Sequence, residues 1–323
     1  GSKEGKTTSN SDFFVDLAQG FDVKFTDPQS SGSISFEVGD QYTFKASSNE
    51  AADLTLELDG VKVAEAKNSQ QISYAYTATT PGNYKLKVTA VKGTTTDSQT
   101  LDLVVFAPSE VAPLPAGAKL GINYISTTEV ILALQAPGKS IAHVIGDFND
   151  WKVLPAYQLK KTADGTIFWI RLTGLVPQKE YIFQYLVDGD IRIGDPYADK
   201  VSDPFNDQEI INQNRHPGLL PYPSGKTEFQ ATFLQTGQAP YAWKNASYTR
   251  PKPEELNVYE LLVRDFDQKR TYQAVIDRLD YLKELGINAI ELMPVGEFEG
   301  NLSWGYNPSF FFAPDKYYGT KND

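Results

Sequence analysis

Polar and apolar residues alternate through much of the first hundred positions. Leu54, Leu56 and Leu58 take turns with Thr55, Glu57 and Asp59, the period of a half-buried strand. Asp59-Gly60 then leads into Val61 and Val63, a two-residue hairpin signal. Pro81-Gly82-Asn83 opens onto Tyr84, Leu86 and Val88, and Leu101, Leu103 and Val105 close the stretch. About seven short strands with turn signals between them predict a β-sandwich over residues 13–106. Residues 107–118 (APSEVAPLPAGA) are rich in proline and alanine, and predict a stiff linker. Alternation resumes in a second sandwich over 119–225, where Trp169, in TIFWIRL, reads as core. Residues 226–256 show little periodicity and end in Pro251 and Pro253, so they read as an extended connector.

The pattern changes at residue 257. Asn257–Val263 (NVYELLV) and Ile287–Met293 are apolar runs of strand length. Between them Val275, Ile276, Leu279, Leu282 and Leu285 recur at spacings of three and four, which gathers them on one helix face. Gly286 supplies the left-handed residue that ends such a helix. Strand, helix and strand predict a βαβ unit with parallel strands. A long aromatic loop comes next, with Trp304, Tyr306, Phe310, Phe311, Phe312, Tyr317 and Tyr318; loops after strand C-termini carry the site in parallel α/β folds. The triplet Phe310–Phe312 reads as core.

Composition narrows the function. Hydrophobic residues at 41% and charged residues at 22% are ordinary for a globular protein. No apolar run of about 18 residues exists, so no membrane span is predicted. The net charge of −11 argues against a nucleic-acid partner, which needs clustered cations. With no cysteine and only His143 and His216, disulfides, thiolate chemistry and a histidine-rich metal site are excluded, and no cofactor is expected. Residues 1–12 are small and polar, like a flexible tether, and lack an initiator Met. They read either as a terminus exposed by removal of an export segment, which implies an exported bacterial lipoprotein, lipid-anchored at the cell surface or in the periplasm, or as a plain trimmed terminus.

Three linked segments carry a resemblance: VYELLVRDF, YLKELGINAIELMPV and WGYNPSFFFAPDKYYGT. In order and spacing they resemble the opening of the α-amylase-type (family 13-like) glycoside hydrolase barrel, and imply that 257–323 begins a (β/α)8 barrel. Upstream, VIGDFNDWK, YLVDG and DPYAD resemble the glycogen-binding early-set sandwich that precedes the barrel in isoamylases, pullulanases and branching enzymes. PGNYKLKVTA, in the first sandwich, resembles immunoglobulin-like repeats of secreted bacterial proteins. The resemblance implies an α-glucan substrate cleaved with retention, which needs two carboxyl groups about 5 Å apart. The chain stops at Asp323, ahead of the strands that carry the family's catalytic carboxylates, so no catalytic residue is expected within it. Glu260, Asp265, Asp267, Glu291, Glu297 and Glu299 sit in no matching motif.

The resemblance assigns Tyr306, in WGYNP, to stacking on the glucose ring beside the cleaved bond, with Trp304 and Asn307 as substrate-binding neighbours. Loop-core packing with Phe310 and Phe312 is the competing reading of Tyr306. Trp151 matches the sugar-stacking tryptophan of the binding module, or else packs against the barrel; its usual partner platform is replaced by Ile191. Two further readings of the whole remain: a non-enzymatic carbohydrate-binding or surface-display protein, and a structural fragment without ligand.

Overall fold

The computed structural model describes residues 3–6, 12–15, 20–29, 33–245 and 247–321. The chain divides into two compact units, Gly1–Pro108 and Ser109–Asp323. Most of the expected tether lies outside the described residues. Its described part includes β1 (Lys3–Lys6), which pairs antiparallel with β2 (Asp12–Val15).

In the first unit, β3 (Val23–Asp27), β4 (Ser33–Glu37), β5 (Gln41–Leu58), β6 (Val61–Thr77), β7 (Gly82–Lys92) and β8 (Thr95–Phe106) form one hydrogen-bonded network in the order β3-β5-β7-β8-β4, with β6 also on β5. The long β5 changes neighbours along its length. Its first half pairs with β3 and its second with β7, with register shifts between Ser47 and Leu54. Bulged strands of this kind turn a sheet over its own core. The alternating residues Leu54, Leu56, Leu86, Val88, Leu101 and Leu103 are fully buried around Phe44. Asp59 and Gly60 take φ of 48° and 78°, the left-handed pair that a two-residue hairpin requires.

The second unit opens with β9 (Gly121–Ser126), β10 (Glu129–Gln135) and β11 (Ala142–Gly146). β12 (Lys160–Lys161), β13 (Ile167–Leu172), β14 (Glu180–Val187), β15 (Ile191–Ile193) and β16 (Val201–Ser202) come after them. A short helix, α1 (Asp207–Asn212), precedes β17 (Ala231–Gln235). One sheet has the order β12-β13-β10-β9; the other is β11-β14-β17-β16, with β15 on β14. β17 falls inside the stretch expected to be connector. Its residues Ala231, Thr232, Phe233 and Leu234 are all buried, and a strand covered on both faces shows no alternation.

The expected linker is also corrected. Ala112 N donates to Lys161 O (3.0 Å) and Lys161 N to Glu110 O (2.8 Å). Ala112, Leu114 and Ala118 pack on Ile131, Ala133 and Trp169. Residues 110–118 are therefore part of the second unit.

The βαβ region comprises β18 (Val258–Leu261), α2 (Val263–Phe266), α3 (Tyr272–Ile276), α4 (Leu279–Glu284) and β19 (Ala289–Leu292). β18 and β19 are parallel, Val258 opposite Ala289. The single expected helix is interrupted between Ile276 and Leu279, and Gly286 stands beyond its end at φ 89°. Of the expected buried face only Val275 and Leu282 are covered; Ile276, Leu279 and Leu285 are exposed. β20 (Gly296–Phe298) and β21 (Pro308–Pro314) form a closing antiparallel pair. No helix among the described residues is long and apolar enough to cross a membrane.

The sheet containing β14 is covered on both faces. One face meets its sister sheet through Val144, Phe168, Phe183 and Tyr185. The other carries Ile145, Ile182 and Phe233 against Leu261, Val263, Phe298, Tyr317 and Tyr318. The βαβ region and the loop after it are thus packed on the sandwich by a shared core.

Candidate functional site

The segment after β19 folds back as the β20–β21 pair, whose turn spans 299–307. Ser303 is hydrogen-bonded to Asn307 Oδ1 and accepts from Gly305 N at 3.0 Å. Asn307 Nδ2 donates to Glu299 O at 3.4 Å, and Glu299 N to Asn307 O at 3.3 Å. Gly305 sits at φ 87°, and a Cβ there would lie 2.1 Å from the Pro294 carbonyl oxygen. Only glycine allows that approach. Its flanking aromatics, Trp304 and Tyr306, stand 61% and 67% exposed. A ring that solvated is packed into no core formed by the described residues. The three phenylalanines divide: Phe310 is half-buried beside Ala198 and Val201, whereas Phe311 and Phe312 are exposed. β21 lies at the surface, which is why that triplet is not core.

Behind the turn lies a group of charges that sequence reasoning did not assemble. Lys316 is buried, with its ammonium 3.2 Å from Asp207 Oδ1 and bonded to Glu297. Asp315 Oδ1 accepts from Tyr317 N at 2.9 Å and Oδ2 from Phe298 N at 3.5 Å. Burial, and next the Glu297 carboxylate beside it, push the Asp315 carboxyl up to about 8. Burial likewise raises Glu297 and Asp207 against the pull of Lys316. Burial alone lowers the Lys316 ammonium, but Glu297 and then Asp207 more than reverse that and raise it. All four groups are at most 6% exposed, out of reach of a substrate. They anchor the loop to the segment around α1. Asn301 Nδ2, which donates to Glu209 Oε2 (2.9 Å) and Asn206 O (3.2 Å), reinforces the anchor, as does the Arg215 guanidinium 3.9 Å above the Tyr317 ring. More than a hundred residues separate Asp207 from Lys316, and no local pattern joins them.

Trp151 requires correction. It is 8% exposed, packs among Ile145, Ile182, Leu261 and Val263, and donates from Nε1 to Asp147 Oδ1 at 3.0 Å. The indole is the seam between sandwich and βαβ region, and no face is open for a sugar. Ile191 is exposed on β15. The remaining carboxylates are dispersed. Glu260 and Glu291 are cross-strand neighbours, both exposed. Asp265 is held by Arg264 through two contacts of 2.7 Å, and Asp267 Oδ1 accepts from Lys269 N. Among the described residues, no group of three or more histidines, cysteines and carboxylates could hold a metal ion.

No protein-family model matches the chain. It is 39% identical over 79 residues to malto-oligosyltrehalose trehalohydrolase of Saccharolobus solfataricus, covering 24% of this chain and 14% of that protein. It is 28% identical over 262 residues to the 1,4-alpha-glucan branching enzyme GlgB of Photobacterium profundum, covering 74% of this chain and 33% of that one. Among solved structures, a pullulanase from Bacillus acidopullulyticus superposes with a TM-score of 0.46 at 20% identity, covering 80% of this chain and 31% of that chain. The chain spans between 14% and 33% of the length of the curated relatives it matches. In sequence, then, this chain is similar to α-glucan-active enzymes of the α-amylase type.

Proposed function

We propose that the chain is the N-terminal part of an α-glucan-active glycoside hydrolase that cleaves α-glucosidic bonds with retention. In this reading β18 and β19 are the first two strands of a (β/α)8 barrel. Ile276, Leu279 and Leu285, exposed here, are then surfaces the rest of the barrel covers. The carboxylates that protonate the leaving oxygen and attack the sugar belong to later strands, and those described here take no part. The branching-enzyme relatives, whose name is that of an enzyme acting on 1,4-alpha-glucan, support the substrate class.

One observation carries the reading: Tyr306 stands in solvent on a turn fixed from both sides, by Gly305 against Pro294 and by Asn307 against Ser303 and Glu299. A rigid, exposed ring costs little to order when a glucose face settles on it. Its contribution is positioning of the ring beside the cleaved bond, not proton transfer. Asn307 is occupied within the turn and shapes it; Trp304 flanks the platform.

The test is Tyr306→Ala and Tyr306→Phe in the protein carrying the whole barrel. Loss of a stacking platform is worth about 1–3 kcal/mol by analogy with base stacking, so kcat/KM for a maltooligosaccharide falls by about tenfold to a hundredfold. The phenylalanine variant keeps most of the activity. An alanine variant with unchanged kinetics and a much lower melting temperature removes Tyr306 from the site.

A further inference from the structure

A second candidate surface lies at the junction of the early-set-like sandwich and the β20–β21 turn. A cleft of about 600 Å³ opens there between Asp203, Phe205, Asn206 and Gln230 on one wall and Glu299 and Asn307 on the other. That volume is ordinary for a small-ligand site. The Phe205 ring is 72% exposed, far more than a phenylalanine needs to be, and its backbone is fixed by Phe205 N donating to Asp203 Oδ1 at 2.8 Å.

The chemistry of the lining selects the ligand. The Asp203 carboxylate is spent internally, accepting from Phe205 N and, at 2.9 Å, from Asn206 Nδ2. Gln230 is half-buried in the lining, and its backbone carbonyl accepts from Gln184 Nε2 at 2.8 Å. Glu299 is exposed, its backbone closed into the turn with Asn307. Among the described residues no cationic side chain lines the cleft, so it offers nothing to a phosphate or a carboxylate ligand. Phe205 and Pro308 are its only apolar side chains among the described residues, too few for a lipid. A flat aromatic face beside a carboxylate and amides is complementary to a neutral sugar ring, which has one apolar C–H face and a rim of hydroxyls. The walls are also held rigid. Asn301 ties the turn to Asn206 and Glu209, and Asp207, next to Asn206 in the chain, is held by Lys316 at 3.2 Å.

We propose that this cleft is an accessory α-glucan subsite, separate from the Tyr306 platform, in which Phe205 stacks on one glucose ring while Glu299 and Gln230 bind its hydroxyls. The ring chemistry comes from the cleft itself; the α-linked class rests on the function proposed above.

Calorimetric titration of the 323-residue chain with maltoheptaose tests it, alongside Phe205→Ala, Phe205→Tyr, Gln230→Ala and Tyr306→Ala, each checked for an unchanged melting temperature. Phe205→Ala is expected to weaken binding about tenfold or more, Phe205→Tyr to retain it, and Gln230→Ala to weaken it less. Phe205 is largely in solvent, so its replacement leaves the fold intact. The proposal is overturned if the unaltered chain does not bind maltoheptaose, or if Phe205→Ala binds as well as the parent. Equal binding of cellohexaose overturns the α-glucan assignment. A chain whose binding is lost in Tyr306→Ala and untouched in Phe205→Ala sinks the cleft while leaving the proposed function standing. Failure of that function is read separately, in the kinetics of the whole-barrel protein.

Discussion

At the residue scale, Lys316 and its three acidic neighbours set how the second unit responds to pH. The carboxyls of Asp315, Glu297 and Asp207 are all raised, burial being the first cause in each. Asp315 also has the Tyr272 hydroxyl within 3.5 Å of its carbonyl oxygen. A carboxyl whose folded value is raised binds its proton more tightly when folded than when unfolded. Its contribution to stability is therefore complete below the ordinary value of 3.8 and is lost as pH rises towards about 8. Melting temperature should fall between about pH 5 and pH 8, and Asp315→Asn, neutral throughout, should flatten that fall. A variant with the same pH slope as the parent would show that Asp315 does not hold the proton.

At the element scale, two segments with weak patterns turn out to be structural. Residues 110–118 look like a spacer because alanine and proline have little to bury. Small side chains nonetheless cover the otherwise open face of β10 and β13, and Trp169 Nε1 donates to Ala112 O at 3.1 Å. Limited proteolysis should therefore spare 110–118 and cut N-terminal to Glu110. Trp169→Phe removes the donor while keeping a ring, and should bring cleavage into 110–118. Early cutting at Ala112–Ala118 in the parent protein would contradict this packing. β17 was unreadable for a different reason. Both its faces are buried, so ATFLQ carries none of the alternation that marks β5 or β7.

On the scale of the whole molecule, the βαβ region owes its order to the sandwich beneath it. Leu261, Val263, Val275 and Phe298 are buried only in company with Ile145, Trp151, Ile182 and Phe233, while Val258, Ile290 and Leu292 remain exposed. A two-stranded parallel sheet taken off that core would leave its apolar faces open to water. Excised residues 257–321 should give the circular dichroism of an unfolded chain. Residues 109–321 should melt in a single transition, since one core spans both parts. Two separated transitions in the longer fragment would mean that the shared core does not couple them.

Local chemistry decided what the sequence could determine alone. Asp59-Gly60 dictates its hairpin, because few residues take positive φ in succession. Gly286 ends its helix for the same reason. Parallel pairing of Val258–Leu261 with Ala289–Leu292 arises from two apolar runs joined by a helical stretch. The resemblance to α-amylase-type enzymes was legible too, through WGYNP and its linked segments. Tertiary structure decided which way the ambiguous side chains face. Trp151 has the same local sequence whether it stacks on a sugar or seals a domain seam, and only the partner surface of Leu261 and Val263 chooses. Tyr306 is exposed because Gly305 lies against the Pro294 carbonyl, a contact between residues eleven positions apart. Lys316, Glu297 and Asp207 make a buried charge cluster, and Phe205 a cleft wall, only when distant segments meet. Pairwise chemistry across long loops leaves no period in a sequence, and so it is read only from the folded chain.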